Sequence, residues 1–318
     1  MRNTFARELT RLAAEDPRVV CLSGDIGNRL FDELKQVAPG RFLNSGVAEA
    51  SMTGTAAGLA AMGLRPVTYT ITAFATVRCL EQIRVDLCYP RLPVVIVGTG
   101  SGLSYAELGP THHSCEEVGL LRTLPNMTVV CPCDPVEVRL ALRAALRHDG
   151  PVYLRLGKKG EPRLHAGEPD FQLGKALTLR PGDDACLLAT GGAVGLALEA
   201  AAALEARGVS ARVESVHTVK PLDEGLLQGL AGRCPVVATV EEHSRIGGLG
   251  GAVAEWAADH QAPFRLLRFG TDDRFLGQVG TQEWARQALG LTAAGVVAGV
   301  AAALDRPGPT AVRAGGRP

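Results

Sequence analysis

Residues 127–156 read Met-Thr-Val-Val-Cys-Pro-Cys-Asp-Pro-Val-Glu-Val-Arg-Leu-Ala-Leu-Arg-Ala-Ala-Leu-Arg-His-Asp-Gly-Pro-Val-Tyr-Leu-Arg-Leu. Two short β-branched runs, 127–131 and 151–156, flank one helical pattern over 135–147. The helix start is explicit: Asp134 suits the cap, Pro135 the first turn, and Glu137 completes a capping-box pattern. The same alternation extends outward in both directions. Upstream, strands are predicted over 19–22, 66–70 and 93–97, with helices over 4–14, 50–62 and 76–88. Downstream, strands are predicted over 185–190, 212–216, 235–240 and 264–269, with helices over 193–207, 222–230, 252–260 and 282–289. Strands alternating with helices are the pattern of an α/β parallel sheet. The polar, Gly- and Pro-rich stretch Gly-Lys-Lys-Gly-Glu-Pro-Arg-Leu-His-Ala-Gly-Glu-Pro-Asp-Phe-Gln-Leu-Gly-Lys interrupts it and reads as a linker. The expected architecture is therefore two consecutive three-layer α/β domains, over 1–157 and 176–305, joined by a linker over 158–175. Residues 306–318 have too little apolar content to pack and are expected to form a disordered tail.

Composition limits the partners. The 318 residues carry 33 basic and 33 acidic side chains, and aromatic content is 4%. With no basic surplus and few stacking rings, neither nucleic acid nor an anionic membrane is expected as a partner. No N-terminal charged-then-apolar signal occurs, and no apolar run approaches ~20 residues, so a cytoplasmic, soluble chain is expected. No two of the eight cysteines have the two-residue spacing of a zinc or redox site. Cys131 and Cys133 are expected to face the same side of a strand end as buried thiols. No metal ligand set is predicted.

Three segments carry candidate chemistry. Asn44-Ser45-Gly46-Val47-Ala48-Glu49 runs into a helix of Ala, Gly, Ser and Thr, which permits very close approach. Glu49 sits in that helix's first turn, where it could merely complement the helix dipole. Next, the Gly-rich stretch 98–126 follows a strand, the place where α/β sheets bind ligands. It delivers His112 and His113, as site residues or as ordinary hydrogen-bonded histidines. Lastly, residues 239–251, Thr-Val-Glu-Glu-His-Ser-Arg-Ile-Gly-Gly-Leu-Gly-Gly, lack dinucleotide-fingerprint spacing. A turn and interface role is expected there.

Together these segments resemble the transketolase family across about residues 2–304. Matching motifs are Gly-x-x-Glu at 46–49, Phe74 with Arg-x-x-x-Gln-Ile-Arg at 78–84, Gly-Pro-Thr-His at 109–112, and Leu-Arg-x-Leu-Pro-Asn at 121–126. Further on come Pro-x-Asp-Pro-x-Glu at 132–137, Lys-Pro-Leu-Asp at 220–223, Val-Glu-Glu-His at 240–243 and Gly-Gly-Leu-Gly at 247–250. The resemblance implies a pyrimidine-binding domain followed by a transketolase C-terminal domain. The family's Gly-Asp-Gly, which with a later Asn holds a divalent metal and the cofactor diphosphate, is not found; the compact Ser-Gly-Asp-Ile-Gly-Asn at 23–28 only looks similar. The expectation is thus the C-terminal half of a split transketolase.

What the resemblance implies is specific. The cofactor would be thiamine diphosphate, with Mg2+ or Ca2+ held mainly by an N-terminal partner subunit in an α2β2 assembly. Glu49 would bond the cofactor's aminopyrimidine, Phe74 would stack on it, and Arg78 would lie beside it. His112 would contact the reacting substrate, with His113 near it. Arg2, Arg155 and Arg29 would hold a sugar phosphate, for which Arg is suited. Two departures stand out: Leu108 where the family has Asp, and Gly100 where it has His. Both family residues contact the donor sugar, so a ketose of a specialised pathway is expected. Two other readings stay open, a β subunit of a 2-oxo acid dehydrogenase decarboxylating component and a catalytically silent scaffold or regulatory subunit.

Overall fold

The computed structural model describes residues 1–158 and 160–305; the tail expected over 306–318 lies outside them. The first half runs α1 (Arg2–Glu15), β1 (Val19–Ser23), α2 (Asp32–Val37), β2 (Phe42–Asn44), α3 (Glu49–Ala61), β3 (Arg65–Ile71), α4 (Thr72–Thr76), α5 (Leu80–Gln82), β4 (Val95–Thr99), α6 (Glu117–Arg122), β5 (Thr128–Val130), α7 (Pro135–Arg147) and β6 (Val152–Leu156). The second runs β7 (Leu177–Arg180), β8 (Ala185–Ala189), α8 (Ala193–Glu205), β9 (Ala211–Ser215), β10 (Thr218–Lys220), α9 (Glu224–Leu230), β11 (Val236–Ser244), α10 (Leu249–Asp259), β12 (Arg265–Thr271), α11 (Gln282–Ala288) and α12 (Ala293–Leu304).

Two sheets result, ordered β10-β5-β6-β4-β3-β1-β2 and β12-β11-β8-β9-β7. All pairings are parallel except those of β10 and β7, which are antiparallel edge strands. Inner strands of parallel sheets are covered on both faces, so they read as unbroken apolar runs instead of alternating ones. That is why β1, β4, β6 and β8 are buried at every residue. One apolar cluster lies on the α1 and α7 side of the first sheet, and another packs α8 and α12 on the second. A third joins the halves: Met52 and Ile83 of the first share it with Val237 and Trp256 of the second.

Beyond the short elements α2, α6 and β7, which were not predicted, four details differ from the sequence reading. The single helix predicted over 76–88 is α4, a 3-10 turn at Val77–Cys79, α5 and a π-helical stretch at Ile83–Cys88. Such irregular helical hydrogen bonding is frequent near functional sites. β5 ends at Val130, so Cys131 and Cys133 do not share a strand face; they enter different apolar clusters. The three-residue β10 went unpredicted because it pairs out of its own half, laying Thr218 and Lys220 along β5. Finally, residues 282–304 are apolar enough in composition to pass for a membrane span. They form α11 and α12, and α12 buries Val296, Val297 and Val300 against the second core.

The α7 cap forms as predicted: Asp134 accepts from the Glu137 N–H at 2.8 Å, and Glu137 from the Cys133 N–H at 2.7 Å. The stretch expected as a linker is pinned to it. The Leu164 and His165 N–H groups both donate to the second oxygen of Asp134, and the His165 ring meets Glu137 at 2.9 Å. Burial opposes a charge on His165, but the Glu137 carboxylate outweighs it and the pKa is raised. A raised histidine pKa gives stability that is complete below the unfolded value of about 6.5 and lost as pH rises through the folded one. The thermal midpoint is therefore expected to fall as pH climbs from about 6.5, while His165→Gln flattens the profile there. Melting curves across pH on both proteins check this; superimposable profiles would count against the bridge.

Candidate active site

The site begins at the C-terminal ends of β1 and β2. Asn44 closes the turn after β2, donating to Asp25 at 2.8 Å and accepting from the Gly46 N–H at 3.0 Å. The Asp25 carboxylate is thereby engaged, as befits a lookalike of the metal motif. Gly46, at φ +68, then delivers Glu49 as the first residue of α3. Glu49 is 2% exposed. Its Oε2 accepts from Arg78 Nη1 at 2.8 Å; among the described residues its Oε1 has no hydrogen-bond partner. A shielded carboxylate with one unused oxygen is suited to a ring nitrogen presented by a ligand.

The irregular helical stretch supplies the next two residues. Arg78 lies over the Phe74 ring, 4.8 Å from its centroid, and is 50% exposed. Phe74 meets His112 edge-on at 5.2 Å. The His112 ring takes a further edge contact from Tyr105 at 6.1 Å, and its Nδ1 meets Thr111 Oγ1 at 3.0 Å. Glu49, Arg78, Phe74 and His112 thus form one continuous wall. Arg2 and Arg29 also come together, lining a shallow cavity of about 390 Å3 beside α1.

Two predicted residues lie elsewhere. Arg155 does not reach the cleft. It is 3% exposed, paired with Glu117, and donates to the carbonyls of Ser114 at 2.9 Å and Glu242 at 3.1 Å. The sequence reading placed it at a sugar phosphate, but β6 is a covered inner strand and turns Arg155 inward to join the two halves. Burial alone would raise the Glu117 carboxyl; the Arg155 guanidinium and His243 hold it below its ordinary range. His113 faces away from Phe74, into a different cavity.

Comparison with known proteins shows the family. The family description "Transketolase, pyrimidine binding domain" matches residues 1–161, and "Transketolase, C-terminal domain" matches 174–296. A 6-deoxy-6-sulfo-D-fructose transketolase subunit from Clostridium sp. (strain MSTE9) is 42% identical over 93% of this chain and 92% of its own length. The chain belongs to the transketolase family. An apulose-4-phosphate transketolase subunit from Phocaeicola vulgatus is 35% identical over 84% of this chain and 86% of its own length. Among solved structures, a split-gene transketolase described as an inactive β4 tetramer superposes with a TM-score of 0.87 at 37% identity, covering 95% of this chain and 97% of that one.

Within this transketolase chain, the Val-Glu-Glu-His and Gly-Gly-Leu-Gly motifs build the junction between the halves. Glu241 accepts from the Leu249 and Gly250 N–H groups, both at 2.7 Å, and so caps α10. Gly248 must lack a side chain, since a Cβ there would lie 2.1 Å from Glu241 Oε2. Glu242 binds Arg286 at 2.8 Å, and His243 Nε2 accepts from the Gly119 N–H at 3.2 Å. Cys133, Glu137 and His165 have ligand atoms close enough to share a metal, but the Glu137 carboxylate is already engaged by the cap and by the His165 ring.

The sequence reading missed Tyr105 and Lys158. Gly100 has φ +75, and a Cβ on it would fall 1.9 Å from the Tyr105 ring. Tyr105 therefore fills the space that a histidine at position 100 would need. Lys158 caps the same ring, its ammonium 4.6 Å from the centroid, and pairs with Glu107. Leu108 is 48% exposed beside them. The signal was present in Gly100 itself: an absent side chain invites a neighbour to occupy its volume.

Proposed function

We propose that this chain joins a second one carrying a diphosphate-binding domain and, with thiamine diphosphate between them, moves a two-carbon ketol unit from a phosphorylated ketose to an aldose. The observation that carries this reading is the buried Glu49 carboxylate, with Oε1 unused, on one wall with Phe74 and His112. When bound, the cofactor supplies the carbon centre that takes up the ketol unit; the protein positions and tunes it. Glu49 would hold and move a proton at the aminopyrimidine ring nitrogen. Phe74 would offer its face to the same ring once Arg78, half-exposed and cheap to move, swings aside. His112, against Phe74, would reach the reacting substrate. A divalent cation, Mg2+ or Ca2+, would be held mainly by the partner, and the pair works in the cytoplasm.

Arg2, Arg29 and Lys158 are the cations we place toward the anionic end of the sugar. Tyr105 and Leu108 replace polar contacts with aromatic and apolar ones, which supports a ketose other than the common pentose phosphates. The substrates for which the two relatives are named, 6-deoxy-6-sulfo-D-fructose and apulose 4-phosphate, support the same reading. The test is ketol transfer by the co-expressed pair, using a panel of phosphorylated and sulfonated ketoses with an aldose acceptor. Transfer that needs thiamine diphosphate and both chains is expected. Decarboxylation of pyruvate without ketol transfer would favour a 2-oxo acid dehydrogenase component, and inactivity of the cofactor-loaded pair toward both would favour the scaffold.

The assembly should be α2β2, because symmetric pairing is the common solution and α3 presents a face of small residues to a partner. Cβ atoms built on Gly54 and Gly58 would meet nothing within 4 Å, so this face has room for close approach. Light scattering on the co-expressed pair should give two copies of each chain. A fully active one-to-one dimer would contradict this.

A further inference from the structure

Tyr105, Leu108 and His112 ride on one loop, residues 100–114, between β4 and α6. Its feet are tied to the first sheet. Gly102 and Ser114 exchange backbone bonds of 3.0 and 2.9 Å, and the Ser101 hydroxyl donates to the Leu156 carbonyl at 2.9 Å. Beyond the feet, the N–H groups of Leu108 and His112 donate back into the loop, to Tyr105 and Gly109. These bonds give the loop its shape, but they do not fix where it stands against Glu49 and Phe74.

The seat comes from the second half of the molecule. Leu103 and Ala106 are buried, yet they join none of the three larger apolar clusters; they pack with Leu276, Ala285 and Leu289 in a small one. α11 supplies Ala285 and Leu289, and its Gln282 and Arg286 hold Glu242 at 3.0 and 2.8 Å. Glu242 lies against the loop's foot, where a Cβ on Gly102 would fall 2.5 Å from its Oε2. Between β12 and α11, residues 272–279 are exposed with the single exception of Leu276, which is 5% exposed. Just beyond it, the Gly280 N–H donates to the Ala106 carbonyl at 3.3 Å. One buried side chain thus anchors this segment beneath the loop that carries His112.

We infer that Leu276 is a positioning residue for ketol transfer. It is no part of the wall of Glu49, Phe74 and His112; it acts through Leu103 and Ala106, which set where Tyr105 and His112 stand. The inference rests on the reading in which His112 reaches the reacting substrate. Interiors are close-packed, so trimming Leu276 leaves a gap into which the loop shifts. A misplacement of about 1 Å at a reacting group can cost about a hundredfold in rate. Glu49 lies on α3, outside the cluster, so its proton step should not feel the change.

Leu276→Ala in the assembled, cofactor-loaded pair should lower kcat about a hundredfold with KM little changed. Hydrogen–deuterium exchange at the thiazolium carbon of the bound cofactor should proceed as in wild type. Leu276→Met, which conserves volume, should restore kcat. In the purified chain, with no cofactor, backbone amide exchange over 103–112 should quicken in the Ala variant, while that over 50–61 holds steady. If the Ala variant does not assemble, Leu276→Val is read in its place, with a smaller loss in the same direction. Unchanged turnover, a Met variant as damaged as the Ala one, or turnover and thiazolium exchange falling by the same factor would each overturn the inference. A wild-type pair that transfers no ketol unit would instead sink the reading beneath it, and this inference with it.

Discussion

Glu49→Gln is expected to lower turnover by the assembled pair about a hundredfold to ten-thousandfold, the usual contribution of a positioned general acid–base group. The fold should survive, because Gln keeps the shape of the side chain and can still accept from Arg78. What it cannot do is exchange the proton that links the tautomers of the aminopyrimidine. The loss should therefore fall on kcat and kcat/KM together, the pattern of an interaction made only in the transition state. Hydrogen–deuterium exchange at the reactive thiazolium carbon of bound cofactor measures the step without any sugar present. If the Gln variant exchanged as fast as wild type, Glu49 would not be the activating group, and the scaffold reading would move ahead.

Arg155→Met is expected to destabilise the chain by about 3–5 kcal/mol, because it strands the buried Glu117 carboxylate without a counter-charge. It also orphans the carbonyls of Ser114 and Glu242, which lie on different halves of the molecule. A second change, Glu117→Met, should recover most of that loss, since an apolar pair of similar volume can replace a buried ion pair at little cost. Urea titrations of wild type, single and double variants give the comparison. A residue that served only to hold substrate would leave unfolding unchanged and raise KM; that result would refute the structural role.

Much of the fold was legible because the evidence for it is local. The α7 cap needs only Asp134, Pro135 and Glu137, three neighbours in sequence, and it forms as written. Inner strands such as β4 and β8 announce themselves as apolar runs. β10 was not legible: Thr218 to Lys220 is three residues long, and its partner strand lies about ninety residues upstream in the other half. The start of α10 was missed for a related reason. Leu249 and Gly250 look like a flexible glycine turn until Glu241, eight residues earlier, folds back to cap them. At the candidate site, motifs singled out Glu49, Phe74 and His112, and the fold brings the three onto one wall. Arg155 was misplaced because a motif gives residue type and order, whereas the choice between cleft and core depends on which strand is covered. Tyr105 and Lys158 were missed because their role appears only when the empty volume at Gly100 is seen in three dimensions.

The central claim is that this chain supplies one wall of a thiamine diphosphate site whose other wall belongs to a partner. Titration of magnesium and thiamine diphosphate into the purified chain, followed by the same titration into the co-expressed pair, tests it directly. No tight binding to the chain alone, and tight, magnesium-dependent binding to the pair, is the predicted result. Micromolar, magnesium-dependent binding by the chain without any partner would contradict it.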